Sequence, residues 1–380
     1  MSKLKILFPF VEAGFGHIMT EKSIADAFEK KYGDYFEIIR CDYYKDYGEP
    51  LARFEKRLCD EVKKYNVCHF YGYLNIAAMN FFGRTGIKFV MEDLVKDSYR
   101  EGLKRMEEIS PDVVISTHWA TNYYAERCGK DIYTVMYVPD AHANKFFRDK
   151  CDFTCISTEE GYARALKFKE RYNVENLALT PMAIRKEAFE VDTDKARLKA
   201  KLGIADKFTI YVTEGGYGIG MLEKLCTMLI EEDLPISLIA VCGKNPELKA
   251  RLDKLKPGKN LSFYPYGFCQ NPLELIAVSD LYLGKSGNGL MEAAFFNVPI
   301  VVTHSANTIE RLIAEHYVTY VKDAVRIFNA KKCVKFIKSV LEGDEKYESL
   351  KNCNRPNFGG EGIADVIFKK LDEKFKLTQE

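Results

Sequence analysis

Residues Leu281–Val302 read LYLGKSGNGLMEAAFFNVPIVV, an apolar strand, a glycine-bearing turn, a helix and a second apolar strand without a break. That order is the repeating unit of a parallel sheet with crossover helices. Gly284 to Gly289 free the backbone to turn and present N–H groups, and a helix starting near Leu290 aims its positive end at the same place, which suits a phosphate. Glu292 is expected in the first turn of that helix, where the macrodipole favours a carboxylate and a ribose diol is within reach. Phosphate and ribose together imply a nucleotide.

Outward from this unit the alternation continues. Strand-like runs at Phe208–Thr213, Ile236–Cys242, Leu261–Tyr264 and Pro299–Val302 surround it, with helical segments between them. The first half opens on a buried strand at Leu4–Val11, a loop from Glu12 to Ile18, and a helix whose core face is Ile24, Ala27 and Phe28. Strands follow at Pro111–Ser116, Tyr133–Val138 and Phe153–Ser157, with helices at Trp119–Cys128 and Glu159–Phe168. The polar run Arg185–Lys207 carries no strand signal and is taken as the inter-domain connection. The expected fold class is α/β: two Rossmann-like, doubly wound parallel-sheet domains, residues 1–184 and 185–360, with their glycine loops converging on a cleft beyond the strands' carboxyl ends.

The size agrees, since 380 residues exceed the usual limit of one core. With 56 basic against 55 acidic residues, bulk charge announces no polyanion, and nucleic acid is not an expected partner. Eleven cysteines without a C-x-x-C pair fit free thiols in a reducing compartment. The apolar stretch after Lys3 and Lys5 is too short for a secretory signal, and no segment reaches the roughly 18 apolar residues of a spanning helix. A cytoplasmic protein, soluble or peripheral on a membrane, is expected.

Several further motifs occur in order. Glu214-Gly215-Gly216-Tyr217-Gly218-Ile219-Gly220 follows a strand, Val241-Cys242-Gly243-Lys244-Asn245 ends another, and Tyr266-Gly267-Phe268 turns after a third. With Lys285-Ser286-Gly287, Glu292-Ala293 and Val298-Pro299-Ile300, these resemble the GT-B glycosyltransferases of family 28, in particular the monogalactosyl- and glucosyl-diacylglycerol synthases and the lipid II N-acetylglucosaminyltransferase. The resemblance covers most of the chain and thins between about Gly33 and Ser110. It implies a UDP-sugar co-substrate with no cofactor, a lipid acceptor hydroxyl at the membrane surface, inversion at the anomeric carbon, and a C-terminal helix, within residues 361–380, returning to the first domain.

It also assigns residues. Gly215, Gly216, Gly218, Lys244, Gly267, Phe268, Lys285, Ser286, Gly287, Asn288, Gly289, Glu292 and Glu310 belong to the donor side, with Phe268 packing on the uracil. Gly16 and His118 belong to the acceptor side, and His17 with Asp140 are the catalytic pair. Independently of family, His17 follows glycines at a strand end, and an imidazole is a side chain type suited to take a proton from the acceptor hydroxyl; the alternative is a helix-capping or acceptor-bonding histidine. Asp140 is either the base, the group orienting an imidazole, or a plain turn aspartate. His118 either shapes the acceptor pocket or packs at a helix start, and Lys244 and Lys285 either face phosphates or solvent.

No D-x-D triplet suitable for a metal stands in the donor half, so helix ends, amides and lysine are expected to carry the leaving group's charge without a metal. The aromatic stretch Tyr65–Val90, flanked by Arg53, Lys56, Arg57, Lys63 and Lys64, is either an interfacial surface or an ordinary apolar helix pair. Ile309 and Ile313 stand where the family has a glutamine and an asparagine for sugar hydroxyls, and Asn144 where relatives have histidine. Other readings consistent with this architecture are a UDP-N-acetylglucosamine 2-epimerase and a non-catalytic nucleotide-sugar sensor.

Overall fold

Parallel strands covered on both faces read as unbroken apolar runs, and the central strands here do so: β8 Ile236–Val241 is buried at all six positions. The computed structural model describes residues 3–11, 15–45, 47–67, 92–140, 151–167, 174–216, 218, 220–269, 272–305, 307–353 and 356–378. It divides into two compact units, Met1–Lys186 with Pro356–Glu380, and Glu187–Arg355. Each is built on one six-stranded sheet in which all the pairings are parallel.

The first unit runs β1 Leu4–Phe10, α1 Phe15–Tyr32, β2 Phe36–Asp42, α2 Glu49–Val67, α3 Tyr99–Ile109, β3 Val113–Ser116, α4 Trp119–Ala125, β4 Tyr133–Val138, β5 Phe153–Ile156, α5 Glu159–Ala165 and β6 Leu177–Leu179. The strand order is β2-β1-β3-β4-β5-β6, with Leu4 opposite Phe36 and Ile6 opposite Val113. Strand β2 has no counterpart in the sequence reading, because as an edge strand it is only half covered and lacks a continuous apolar run. The helical spacing of Ile24, Ala27 and Phe28 does place them in the core.

The second unit runs α6 Lys195–Leu202, β7 Phe208–Thr213, α7 Leu222–Glu231, β8, α8 Pro246–Leu252, β9 Ser262–Tyr266, α9 Leu273–Ala277, β10 Leu281–Lys285, α10 Asn288–Phe295, β11 Ile300–His304, α11 Thr308–Glu315, a π-helical turn His316–Val321, β12 Ala324–Arg326, α12 Ala330–Leu341 and α13 Glu345–Lys351. Its order is β12-β11-β10-β7-β8-β9. The polar stretch read as a bare connection contains α6, capped by Asp194 on the Arg197 N–H at 3.0 Å and ended by Gly203 in the left-handed region. This helix lies within the second unit.

The chain re-enters the first unit at Pro356, and α14 Gly360–Phe375 packs on α1. Tyr32 stacks on Phe368 with ring centroids 3.9 Å apart, while Lys30–Glu361 and Lys31–Asp365 pair at the surface. Outgoing and returning segments are bonded to each other: Met182 N–H donates to Asn357 O at 2.8 Å and Gly359 N–H to Met182 O at 3.0 Å. Ser23 Oγ of α1 adds a bond to Ile184 O at 2.6 Å. The aromatic stretch after Val67 and Asn144 lie outside the described residues.

Candidate functional site

In a doubly wound sheet, ligands bind where successive crossovers leave in opposite directions. In the second unit that point lies between β7 and β10, neighbours with Ile210 opposite Leu281. Glu214, Gly215 and Gly216 follow β7 and Ser286 and Gly287 follow β10 at this point, and α10 begins there.

The turn after β10 differs in detail from the sequence reading. Helix α10 starts at Asn288, two residues earlier than expected, so Glu292 lies in its second turn and is 6% exposed. It is therefore not placed as a first-turn ribose ligand. Gly289 lies in the first turn of the helix, and a Cβ there would stand 2.1 Å from Tyr282 Oη, so its smallness makes room for that ring. Ser286 is also withdrawn: it is fully buried, its N–H donates to His304 O at 2.8 Å, and its hydroxyl pairs with Ser305 Oγ at 2.8 Å. Gly287 is the open position, with φ of 156° and nothing within 4 Å of its missing side chain, and it immediately precedes Asn288 at the helix start. Backbone approach to a phosphate is available there.

Lys285 is not a bare cation. Its Nζ lies 2.6 Å from Glu310 Oε1 in a largely buried pair, and its stem passes over Gly215, 3.5 Å from where a Cβ would stand. Glu310 is fixed in turn, its N–H donating to Asn307 Oδ1 at 3.0 Å as α11 begins. An arriving anion must compete with Glu310 for this lysine.

The glycine loop is held from below. Gly216 O accepts from Lys244 N–H at 2.7 Å, and Gly218 N–H donates to Gly215 O at 3.1 Å. Gly218, at φ of 59°, lies so close to β8 that a Cβ would stand 2.2 Å from Cys242 O. The C-G-K-N motif thus has a local reason: Gly243 lets the loop approach, Lys244 bonds it, and Asn245 caps α8 by accepting from Leu248 N–H at 2.9 Å. Lys244 Nζ reaches over the ring of Phe268, 5.4 Å from its centroid, and Phe268 follows Gly267 at the end of β9 with half its surface open.

A residue that the sequence reading left without a role, Glu214, begins this loop. It is 2% exposed, Oε1 accepts from Thr303 Oγ1 at 2.9 Å, and Oε2 has no hydrogen-bond partner among the described residues. Burial pushes its carboxyl up to about 7, against the pull of Thr303, the Met221 amide and Lys285. An acidic residue heading a glycine-rich loop directly after an apolar strand was the available signal.

In the first unit the corresponding point lies between β1 and β3. Gly16 and His17 are in the first turn of α1, and His17 Nδ1 lies 3.0 Å from Thr117 O. A carbonyl only accepts, so Nδ1 carries the hydrogen and Nε2 of the neutral ring keeps its lone pair. Thr117 Oγ1 returns a bond to His17 O at 3.2 Å. His118 meets His17 edge to face, ring centroids 4.8 Å apart. It is 8% exposed and caps α4, Nδ1 accepting from Ala120 N–H at 3.2 Å, which matches the alternative of packing at a helix start. Burial, then the nearby His17, drive the pKa of His118 well below the ordinary range, so it stays neutral and does not oppose a proton on His17. Asp140 follows the end of β4, and β3 lies between β4 and β1; among the described residues Thr117 and His118 are placed against His17. Gly14 lies outside the described residues.

Among the described residues no three His, Cys, Asp or Glu side chains gather as a metal-holding group, and no helix is long and apolar enough to cross a membrane.

No family model matches the chain. It is 23% identical over 358 residues to a processive diacylglycerol beta-glucosyltransferase of Bacillus pumilus, covering 91% of this chain and 89% of that one. A second enzyme of that name, from Bacillus cytotoxicus, is 22% identical, covering 98% of this chain and 95% of its own. A rice protein named "Probable monogalactosyldiacylglycerol synthase 2, chloroplastic" is 22% identical over 78% of this chain and 65% of that one. Among solved structures, the S. aureus MnaA-UDP co-structure superposes with a TM-score of 0.63 at 15% identity over 100% of this chain and 98% of that one. The UDP-GlcNAc 2-epimerase of Neisseria meningitidis bound to UDP-GlcNAc gives 0.60 at 13% identity over 97% and 100%. The chain is a GT-B-fold α/β protein whose sequence resembles the family 28 glycosyltransferases, its relatives being diacylglycerol glycosyltransferases.

Proposed function

We propose that this protein is an inverting glycosyltransferase that moves a hexose from a UDP-sugar to a lipid hydroxyl, with diacylglycerol as the acceptor. The observation that carries the reading is the fixed tautomer of His17 at the β1/β3 crossover point, which leaves Nε2 free to accept a proton. The sequence relatives support the acceptor class, and the crossover point in the second unit supports a nucleotide.

In this mechanism His17 Nε2 accepts the acceptor's proton as the hydroxyl oxygen attacks the anomeric carbon. The carbon–oxygen bond to UDP breaks, the electron pair leaves with UDP, and in-line displacement turns an α-linked donor into a β-linked product. Neutral His118 lets His17 hold the proton without like-charge repulsion. Gly287 and the start of α10 face the growing charge on UDP, with Lys285 shared between Glu310 and the phosphates. Phe268 and Lys244 take the base. No metal or cofactor is used. A cytoplasmic protein peripheral on the membrane fits this chemistry, and α2 supports it by burying Leu51, Phe54 and Leu58 while exposing Arg53, Lys56 and Arg57.

His17→Ala tests the base. UDP affinity is expected to stay as it is, while transfer falls roughly 100- to 10,000-fold. Unchanged turnover would remove His17 from the mechanism.

A further inference from the structure

Glu214 starts the glycine loop, and its carboxyl group reaches back to the loop's last residue. Oε2 fills the space that a side chain at Gly220 would need, standing 2.6 Å from the position of its Cβ. Through Thr303 the other oxygen ties the same loop to β11. The groups facing this carboxyl are Lys285 and Tyr282 from β10, Glu310 from α11 and Cys333 from α12. Lys285 is the cation among them, and it is shared with Glu310 at 2.6 Å. A buried carboxyl with an unsatisfied oxygen and half a counter-ion responds strongly to any charge placed beside it.

We propose that Glu214 takes up one proton from solvent when a nucleoside diphosphate binds beside Gly215, Gly216, Gly218 and the 285–288 turn, so that donor binding is coupled to protonation of the loop's own acid. The inference rests on the nucleotide-sugar reading above. A pyrophosphate adds negative charge near the acid and draws on Lys285, and both changes disfavour the carboxylate. An O–H bond forms on the carboxyl group and no other bond changes. Because burial already holds the acid at about 7, the free protein is mostly ionised at pH 7.5 and has a proton to gain. Glu214 is a positioning residue in this scheme: its neutral form removes a like charge from beneath the phosphates while its bulk still fills the space at Gly220.

The test is isothermal titration of UDP into the full chain at pH 7.5, in buffers of different ionisation enthalpy, for the parent, Glu214→Gln and Thr303→Val. The slope of apparent enthalpy against buffer enthalpy counts protons. The parent is expected to take up about half a proton or more per UDP beyond the Glu214→Gln variant, since protons released by UDP itself cancel between them. Thr303→Val loses the hydrogen bond that favours the anion, so its acid is already protonated and its uptake shrinks; this variant serves if Glu214→Gln does not fold. Equal proton counts in the parent and either variant, with UDP heat present, would overturn the inference and leave the nucleotide reading standing. No UDP heat in the parent would overturn both.

Discussion

Replacing Glu214 by glutamine is expected to change how stability depends on pH. In the folded chain burial raises this carboxyl from 4.5 to about 7. Between those values the folded state binds the proton and the unfolded chain does not, so the contribution is fully present below about 4.5 and is lost as pH rises through about 7. A rise of this size corresponds to about 3 kcal/mol, of which about 2.5 kcal/mol falls between pH 5 and pH 8. The amide of glutamine does not titrate and its oxygen can still accept from Thr303. The variant should therefore match the parent near pH 5 to within its fitting cost and gain about 2 to 3 kcal/mol on it by pH 8. Urea unfolding followed by far-UV circular dichroism from pH 5 to 8 reads this. The chain has one tryptophan, Trp119, and it lies in the first unit, so its fluorescence separates the transition of that unit from the one carrying Glu214. A parent-to-variant difference that is the same at both ends of the range would refute the reasoning.

Two further outcomes follow. Gly218→Ala should destabilise the second unit by about 2 kcal/mol or more, because alanine must adopt the left-handed conformation and place its Cβ against Cys242 O; a melting temperature unchanged from the parent would contradict the loop geometry. Treatment with a chelator should leave turnover unchanged if backbone amides, helix ends and Lys285 carry the leaving group's charge, whereas loss restored by a divalent cation would show that a metal does so.

The fold was legible where burial writes a continuous pattern. Tyr133–Val138 and Phe208–Thr213 are strands at the expected residues because a covered parallel strand must be apolar throughout. Half-covered β2 and the three-residue strands β6 and β12 leave too short or too mixed a pattern to detect. Helix α6 was missed because its Lys-rich surface has a single buried position, Leu198. At the site, glycines announced the turns but not their reasons. Gly287 is open for a ligand, while Gly289 makes room for Tyr282, and both look alike in sequence. The pairing of Lys285 with Glu310, 25 residues apart, and that of Glu214 with Thr303 depend on which strands neighbour each other, which local spacing does not encode. His17 was found from its place after a strand, whereas the group that orients it, Thr117 O, is a backbone atom with no side-chain signature.

The central claim is transfer of a hexose from UDP to a lipid, and mass spectrometry of lipids reads it directly. The purified chain would be incubated separately with UDP-glucose, UDP-galactose and UDP-N-acetylglucosamine, each with liposomes containing diacylglycerol. The account predicts a glycosylated diacylglycerol with at least one hexose donor, formed roughly 100- to 10,000-fold more slowly by His17→Ala. Conversion of a sugar nucleotide to its epimer with no glycolipid, or an inert mixture in all three, would contradict it.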